Sequence, residues 1–447
     1  MRQRQLICGL VNVVLFLIGA SLVAGGLVVL LYVFQNTVKK TVKTDKVLGL
    51  TNNGSLNDFT KAWANPSYIS TMQYWAFDYQ NTIGIMNRAL YPDVDEKGPY
   101  AYDILGHCLS SHLSHTKKAL TVDELLFSGY ISPLVTRLGD RIIDISNALL
   151  GTKYPPIDEK PFIVMLNTGN ATTDVLFTVE TGKVDYLRTG FILSFTNITN
   201  ASLPSQGNKL PSQWWPGAET PECNSTNSTA LALEGTNGDF FKAFIEKGDS
   251  LPTFISDVCR SVKLKFEKEI SVMGIPGYRF SLPPEEFDYS QPENCGFCNP
   301  NTLSRYGAYD RPVNSSCLPT GLLDISGCKR SPIIISKPHF YQASDIVRSF
   351  VPRFKPSYGN DETTLDIEPT TGTVLAANKR LQINVLVNQF PTIGAYSVIR
   401  PGAYPLVWLN ESFSMDEGTR SDLSLKLFQP KRTVKIICWS AIGVGGA

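Results

Sequence analysis

The sequence lacks a charge excess of either sign. It contains 41 Lys and Arg residues against 40 Asp and Glu residues, so its formal net charge is +1. Proteins that bind nucleic acid usually carry a basic excess or a basic stripe. Residues 35–433 also contain no low-complexity linker, no repeat and no charge block. We therefore expect no nucleic-acid partner.

Motifs of catalysis and cofactor binding are absent as well. The chain contains no G-x-S-x-G, H-E-x-x-H, P-loop or G-x-G-x-x-G pattern. Asp366 and Glu368 of the LDIEP stretch would share one face of a strand, but so do many solvated carboxylate pairs. The sequence therefore predicts neither an enzyme nor a resident cofactor.

Histidine is scarce, and three of the four histidines fall in one short stretch, GHCLSSHLSH. On a helix Cys108, His112 and His115 would share one face, and His107 adjoins them, so the stretch offers a plausible zinc ligand set. A solvated helix start explains the same residues without a metal. A zinc-dependent hydrolase is thus a remote alternative, and no metal site is expected.

Apolar sequence, in contrast, is abundant near the N-terminus. Residues 6–34 read LICGLVNVVLFLIGASLVAGGLVVLLYVF, without a charged residue. As a helix this run would be roughly 40 Å long, more than the roughly 30 Å hydrocarbon core of a bilayer. A signal peptide with cleavage near residues 20–26 is the alternative, but its apolar region is usually shorter. We expect a transmembrane helix over residues 6–34.

The flanking charges and the glycosylation sequons disagree about the orientation of this helix. Four lysines follow it: Lys39, Lys40, Lys43 and Lys46. By the positive-inside rule they would put the downstream side in the cytoplasm. Eight N-x-[ST] sequons also lie downstream, at Asn53, Asn170, Asn197, Asn200, Asn224, Asn227, Asn314 and Asn410. Two pairs of them, Asn197 with Asn200 and Asn224 with Asn227, lie in polar, turn-rich stretches, which is typical of exposed loops in a luminal domain. We therefore expect residues 1–5 in the cytoplasm and residues 35–433 outside it.

Six of the nine cysteines form a group: Cys223, Cys259, Cys295, Cys298, Cys317 and Cys328. A paired zinc site needs C-x₂-C twice, and only Cys295 and Cys298 have that spacing. A sequon at Asn314 suits an oxidising compartment. The group therefore predicts three disulfides, for which fifteen pairings are possible.

Strand patterns dominate the middle of the chain. PFIVMLN, DVLFTVETGKVDYL, GFILSFTN and SPIIISKPHF are β-rich runs, with a hairpin-like stretch at residues 180–183. In RLQINVLVNQF, Leu381 and Ile383 lie on one face of a strand, and Gln382 and Asn384 lie on the other. Helical periodicity is concentrated at residues 120–150. These patterns predict a large, mainly antiparallel β domain with a few helices, an α+β fold.

A set of motifs resembles the class B scavenger receptors, in family order over nearly the whole chain. The motifs are YWAFDYQN (74–81), KGPYAYD (97–103), LTVDELLFSGY (120–130), EGTNGDFF (234–241), SDVCRSV (256–262), GIPGYRFSLP (274–283), LLDISGCK (322–329), PHFYQA (338–343), TLDIEPTTGTVLAANKRLQINVLV (364–387) and PLVWLNES (405–412). As a set they are highly specific, although none is so alone.

The resemblance implies a membrane receptor without catalytic activity. It implies two membrane helices, cytoplasmic termini and a glycosylated, β-barrel-like ectodomain with a helical cap, in the plasma membrane or the lysosomal membrane. A hydrophobic tunnel would pass apolar lipid from bound lipids, fatty acids or lipoproteins to the bilayer. A sorting receptor for a luminal protein is the alternative. The implied disulfides are Cys223–Cys295, Cys259–Cys328 and Cys298–Cys317.

Two departures from the family pattern modify these expectations. Only about sixteen residues join KGPYAYD to LTVDELL, so we expect the cap to be incomplete. Residues 434–447 are the expected start of the second membrane helix. Taken alone, this apolar stretch is too short to cross a bilayer and would suit a buried tail.

Overall fold

The structure is a computed structural model that describes residues 2–64, 69–103, 175–197, 209–224, 228–239, 241–299, 317–329, 333–387 and 398–446. The helical periodicity at 120–150, the expected cap, the PFIVMLN run and the His107, Cys108, His112 and His115 stretch lie outside these residues.

The N-terminal apolar run forms a long helical rod. Helix α1 spans Arg2–Val28, a π-helical turn covers Val29–Val33, and α2 spans Phe34–Asp45. Among the described residues, Val13–Asp45 is the stretch that is long and apolar enough to cross a membrane, and its apolar window is not buried. Such side chains need a lipid or protein environment, and a helix satisfies its own backbone hydrogen bonds there.

The remaining helices are short, except the last. They are α3 Asp58–Ala64, α4 Thr82–Arg88, α5 Pro221–Asn224, α6 Ser326–Lys329, α7 Asp345–Arg348, α8 Tyr358–Asp361, α9 Glu417–Leu423 and α10 Gln429–Gly446. A π-helical turn at Ser424–Phe428 joins α9 to α10, and α10 packs against α1.

The part of the chain that the structure describes contains twelve strands. They are β1 Ile69–Tyr79, β2 Val94–Asp103, β3 Val175–Val179, β4 Ile192–Asn197, β5 Ser250–Ile255, β6 Arg260–Val272, β7 Ile275–Ser281, β8 Leu323–Asp324, β9 Ile333–Ser336, β10 Thr364–Glu368, β11 Thr373–Val387 and β12 Gly402–Ser414.

Ten of these strands form one antiparallel sheet. Eight of them follow the order β2-β1-β12-β11-β10-β7-β6-β5, and β9 and β8 join it at one side. Strand β11 pairs with β12 on one side and, on the other, first with β10 and then with β9, which also pairs with β8. Strands β3 and β4 form a separate pair. The antiparallel α+β prediction is confirmed. Barrel-like closure is not, because the sheet of described strands is open at β2 and β5.

The central strands are buried on both faces. One core cluster contains Ile333, Ile335 and Ile383, and a second contains Ile334 and Val385. Because neighbouring residues of a strand point to opposite faces, the continuous run of isoleucines in β9 supplies both clusters. The burial of β9 on two faces is the physical reason for its uninterrupted apolar sequence.

The hairpin-like stretch at residues 180–183 is a looser connection than expected. Strands β3 and β4 do pair, but residues 180–191 join them and include a 3₁₀ turn at Tyr186–Arg188. Asp185 caps this turn by accepting a hydrogen bond from Leu187 N at 3.0 Å. The local Asx interaction therefore replaces the strand that the sequence VDYL suggested.

Candidate functional site

The most polar part of the described interior follows β9 directly. Residues 337–342, with the sequence KPHFYQ, are here called the polar segment. His339, Phe340 and Gln342 have φ angles of 52°, 57° and 58°. Non-glycine residues disfavour this left-handed region, so the surrounding contacts must hold the segment. Phe340 is buried in the second core cluster, and His339 N donates a 2.7 Å hydrogen bond to Gln382 Oε1.

His339 lies between two carboxylates that are distant in sequence. Its Nδ1 is 2.7 Å from Asp361 Oδ1, and its Nε2 is 2.6 Å from Glu96 Oε1. Trp408 Nε1 donates to the same Glu96 oxygen at 2.5 Å, and the Trp408 ring stacks on Trp75 with 3.7 Å between ring centroids. Residues from several distant parts of the chain therefore surround the His339 imidazole.

The two carboxylates determine the charge of His339. Burial by itself lowers the pKa of His339, but the hydrogen bonds and charges of Asp361 and Glu96 outweigh it and raise that pKa to about 9. Burial raises the pKa of Glu96, yet the bonds from His339 and Trp408 produce a net lowering. His339 is therefore an imidazolium at neutral and at lysosomal pH.

This arrangement is unsuited to acid-base or metal chemistry. A His339 imidazolium that donates from both nitrogens has no lone pair for a proton or a metal ion. Of the described residues, no group of three or more His, Cys, Asp or Glu side chains could hold a metal. The cluster of His339, Glu96, Asp361 and Trp408, here called the His339 cluster, is thus suited to fixing the position of the polar segment.

A second buried ion pair adjoins the cluster. Lys337 Nζ donates to Glu362 Oε1 at 2.6 Å and to Leu282 O at 2.6 Å. Burial lowers the pKa of Lys337 and raises that of Glu362, and each partner's charge offsets part of this effect. On the polar face of β11, Gln382 Nε2 donates to Asn384 Oδ1 at 2.8 Å. This bond extends the buried hydrogen-bond network.

The carboxylates of LDIEP have structural roles. Asp366 accepts a bidentate pair of 2.7 Å bonds from Arg279 on β7, beside it in the sheet. Glu368 caps the following turn by accepting bonds from Thr370 N and Thr371 N. Both carboxyl groups are buried, with their oxygens already engaged. Neither is positioned to act on a substrate.

Six of the described cysteines form three disulfides, and Cys438 is a free, buried thiol. The disulfides are Cys223–Cys295, Cys259–Cys328 and Cys298–Cys317. These pairs coincide with those that the resemblance implies. They link the segments around α5, the start of β6 and α6, next to the first core cluster.

The sequons differ in their accessibility. Asn53 is exposed in the loop after α2. Asn410 is buried in β12, and its Nδ2 donates to Gln73 Oε1 at 3.1 Å. Glycosylation at these two positions stays a prediction. Asn197 and Asn224 end β4 and α5. The remaining sequons, Asn170, Asn200, Asn227 and Asn314, lie outside the described residues.

Lys46 fixes the end of α2 to the ectodomain. Its Nζ donates to Phe241 O and Thr371 O, and its own carbonyl accepts a 2.7 Å bond from Thr189 Oγ1. Burial lowers the pKa of Lys46 to about 7, although the nearby Glu368 acts in the opposite direction. Helix α2 and the sheet region are therefore joined by the hydrogen bonds of a buried lysine rather than by a free linker.

The motif PHFYQA contains His339, but the sequence by itself assigns this histidine no role. Its partners Glu96 and Trp408 are more than 65 residues away along the chain, so no local pattern could reveal the cluster. The only available signal was that charged and aromatic residues occur within otherwise apolar motifs, such as PHFYQA and PLVWLNES.

Known proteins similar to this chain cover almost its whole length. The CD36 family model matches residues 17–107 and 107–447. An uncharacterised protein of Caenorhabditis elegans is 45% identical over 543 residues, covering 100% of this chain and 95% of the relative. This alignment is longer than the 447-residue chain, so it includes positions that the chain lacks. The two family matches meet at residue 107, within the short junction where the cap segment was expected.

Other relatives are membrane proteins by name. Lysosome membrane protein 2 of Rattus norvegicus is 29% identical over 430 residues, covering 88% of this chain and 83% of the relative. Sensory neuron membrane protein 2 of Drosophila melanogaster is 28% identical over 289 residues, covering 62% of this chain and 47% of the relative. With its apolar N-terminal helix and three disulfides, this chain belongs to the CD36 family, the class B scavenger receptors.

Proposed function

We propose that this chain is a membrane-anchored receptor that binds lipids or lipoproteins and passes apolar lipid through a hydrophobic tunnel to the bilayer. The observation that carries the proposal is CD36 family membership along nearly the whole chain. The exposed apolar helix α1 supports the membrane anchor. Fatty acids and lipoprotein-borne lipids are the expected cargo.

The physical requirement for such transfer is modest. Exposing an acyl chain to water costs about 0.8 kcal/mol per CH₂ group. A covered path from particle to bilayer avoids that cost, and the cargo can then move toward the end where its affinity is higher. No source of chemical energy is required. The engaged carboxylates and imidazolium of the polar network are compatible with a receptor that performs no catalysis.

We also propose the membrane topology. Residues 1–5 would be cytoplasmic, residues 6–34 would span the bilayer, residues 35–433 would lie outside the cytosol, and residues 434–447 would begin a second membrane helix. Helix α10 packs along α1 and exposes Ile436 and Ile437, which supports the second helix. Three disulfides and the exposed sequon at Asn53 support an oxidising, glycosylating compartment.

An uptake measurement tests the proposed function. The 447-residue chain with an epitope tag would be expressed in cultured cells, and surface biotinylation would measure its delivery. We expect faster uptake of a fluorescent fatty acid, or of a fluorescent lipid carried in lipoprotein, than in cells expressing an unrelated single-span glycoprotein at equal surface density. Equal uptake in the two cell lines, with normal delivery, would contradict the proposal.

A sorting receptor for a luminal protein is the second candidate. Its support is the 29% identity with Lysosome membrane protein 2, which also makes the lysosomal membrane a candidate location. Immunofluorescence against lysosomal and plasma-membrane markers would separate the two locations. A chain found in lysosomes, in cells without increased lipid uptake, would favour the sorting role.

A further inference from the structure

The lysines that follow the apolar run remain unexplained by lipid transfer. Lys39, Lys40 and Lys43 lie on α2 at spacings i, i+1 and i+4, so they occupy an arc of about 100° on the helix surface. Helix α10 repeats this spacing with Lys431, Arg432 and Lys435. All six side chains are exposed.

These six cations differ from most of the other Lys and Arg residues that the structure describes, because most of those form ion pairs. Arg353, for example, pairs with Asp95 at 2.7 Å, and Lys379 pairs with Glu411 at 2.9 Å. Within the described part of the chain, none of the six forms a salt bridge. Three acidic residues, Asp422, Asp45 and Asp58, interact with another cation, Lys426, and Asp422 bonds it at 2.7 Å.

The basic residues of α2 and those of α10 lie at a similar height along the axis of these helices. The side chain of Asp45, at the end of α2, lies close enough to Lys426, just before α10, for their charges to interact. Starting from this level, α10 runs antiparallel to α2 and α1. It contacts both α1 and the π-helical turn at Val29–Val33. At 1.5 Å per residue, the Lys431–Arg432 pair therefore lies at about the level of Lys39 and Lys40.

Aromatic side chains mark the nearby membrane boundary. Tyr32 and Trp439 are 68% and 53% exposed, and the same antiparallel alignment brings them to one level. Tyrosine and tryptophan are enriched where hydrocarbon meets headgroups. Lys39 lies roughly 10 Å beyond Tyr32 along the helix, and Lys435 roughly 6 Å beyond Trp439. The cations thus stand at the height of lipid headgroups.

We propose that Lys39, Lys40, Lys43, Lys431, Arg432 and Lys435 form a binding site for anionic phospholipid headgroups in the ectodomain-side leaflet. We call these six residues the basic collar. The proposal rests on the proposed membrane anchor but is independent of lipid uptake. Unpaired cations beside a bilayer attract anionic lipids, and each contributes roughly a fivefold preference when it is close to the surface. The collar would also explain why lysines follow the span on the side that the positive-inside rule disfavours.

Spin-labelled lipids provide a direct test. The full chain would be reconstituted in phosphatidylcholine vesicles that contain a trace of spin-labelled phosphatidylserine or spin-labelled phosphatidylcholine. Electron spin resonance then measures the fraction of each label that the protein restricts. We expect a preference for phosphatidylserine of roughly fivefold or more, reduced by high salt because exposed charges are screened.

Matched variants distinguish the effect of the collar from the effect of the protein's net charge. The triple variant Lys39→Gln, Lys40→Gln, Lys43→Gln should lose much of the preference, and replacement of all six cations by Gln should bring it close to one. The control Lys247→Gln, Lys263→Gln, Lys265→Gln removes the same charge from ion-paired positions of the ectodomain and should leave the preference unchanged.

Each contrary result has a distinct meaning. A chain that inserts but shows no preference, or a control that loses it as fully as the collar variant, would overturn the collar alone. Displacement of the labelled lipid by inorganic phosphate at matched ionic strength would identify a site for free phosphate and overturn the lipid assignment. Failure to insert into vesicles would overturn the anchor and the collar together.

Discussion

The charge of a single side chain, His339, controls the best-defined polar contacts in the described interior. Its imidazolium is bound to Asp361 and Glu96, and its backbone occupies a left-handed conformation that these contacts help to hold. An imidazolium with a pKa near 9 binds a proton more tightly in the folded chain than in the unfolded chain, where a value of about 6.5 is expected. Stability should therefore depend on pH at this residue.

Replacing His339 by Gln should destabilise the protein most at low pH. The contribution of the imidazolium is fully present below about pH 6.5 and is lost as pH rises to about 9. We expect a loss of roughly 1–3 kcal/mol in the free energy of unfolding at pH 6 and a much smaller loss at pH 9. Denaturant unfolding at both values measures this difference.

The surface variant Asp345→Asn is the matched control, because Asp345 is exposed and pairs with Arg348 and with no other cation among the described residues. Its effect should be small and similar at pH 6 and pH 9. A His339→Gln defect of equal size at both pH values would show that the imidazolium charge is not responsible.

Among the elements, β11 connects most parts of the ectodomain. It pairs with β12, β10 and β9, and its polar face is buried as fully as its apolar face. Gln382 and Asn384 therefore face the polar segment instead of water. The alternation of apolar and polar residues along β11 was predicted from the sequence. The burial of its polar face depended on the residues that cover that face.

Replacing Gln382 by Leu should destabilise β11 through lost hydrogen bonds. The change leaves His339 N and Asn384 Oδ1 without their present partner, and each unsatisfied buried group costs about 1–3 kcal/mol. We expect a loss of roughly 2–4 kcal/mol, measured by denaturant unfolding. Ile383→Val, on the opposite face, should cost only about 0.5–1.5 kcal/mol. Equal losses in the two variants would contradict the assigned role of Gln382.

The disulfide Cys259–Cys328 connects two other elements, the start of β6 and helix α6, which are 69 residues apart in sequence. Because a crosslink restricts the unfolded chain, replacing both cysteines by Ser should lower the free energy of unfolding by about 2–5 kcal/mol. Thermal unfolding measures the shift. Cys438→Ala, which removes the free thiol, should have a much smaller effect, and a comparable one would argue against the crosslink as the cause.

For the whole molecule, orientation in the membrane is the decisive property. Asn53 and Asn410 both lie downstream of α1, but only Asn53 is accessible in the folded chain. The described surface near α2 also carries the basic collar, which we propose contacts the leaflet on the same side as the ectodomain.

Glycan mapping tests this orientation. In cells, Asn53→Gln should lower the mass of the protein by one glycan, whereas Asn410→Gln should leave the glycan mass unchanged. Electrophoresis before and after deglycosidase treatment measures both. A chain whose mass never responds to the enzyme would place residues 35–433 in the cytosol. A glycan lost from Asn410→Gln would show that this asparagine is modified despite its buried position.

Sequence alone determined the properties that are encoded locally. The uncharged run of residues 6–34 predicts a helix because every turn is apolar, and the run SPIIISKPHF predicts a strand. The ordered motifs also identified the family. These predictions need no tertiary information because each depends on residues that are neighbours in sequence.

Only the tertiary structure decided which distant residues meet. Long-range strand pairing brings Glu96 and Trp408 to His339, and the contact of α8 with the polar segment brings Asp361 there. No local pattern exists for these approaches. Asn410 has the sequence of an exposed acceptor, yet its central strand buries it. The two groups of collar cations, nearly 400 residues apart, reach one level because α10 packs against α1. In each case a packing contact between distant segments fixes the environment of a side chain, and the residues around it in sequence do not.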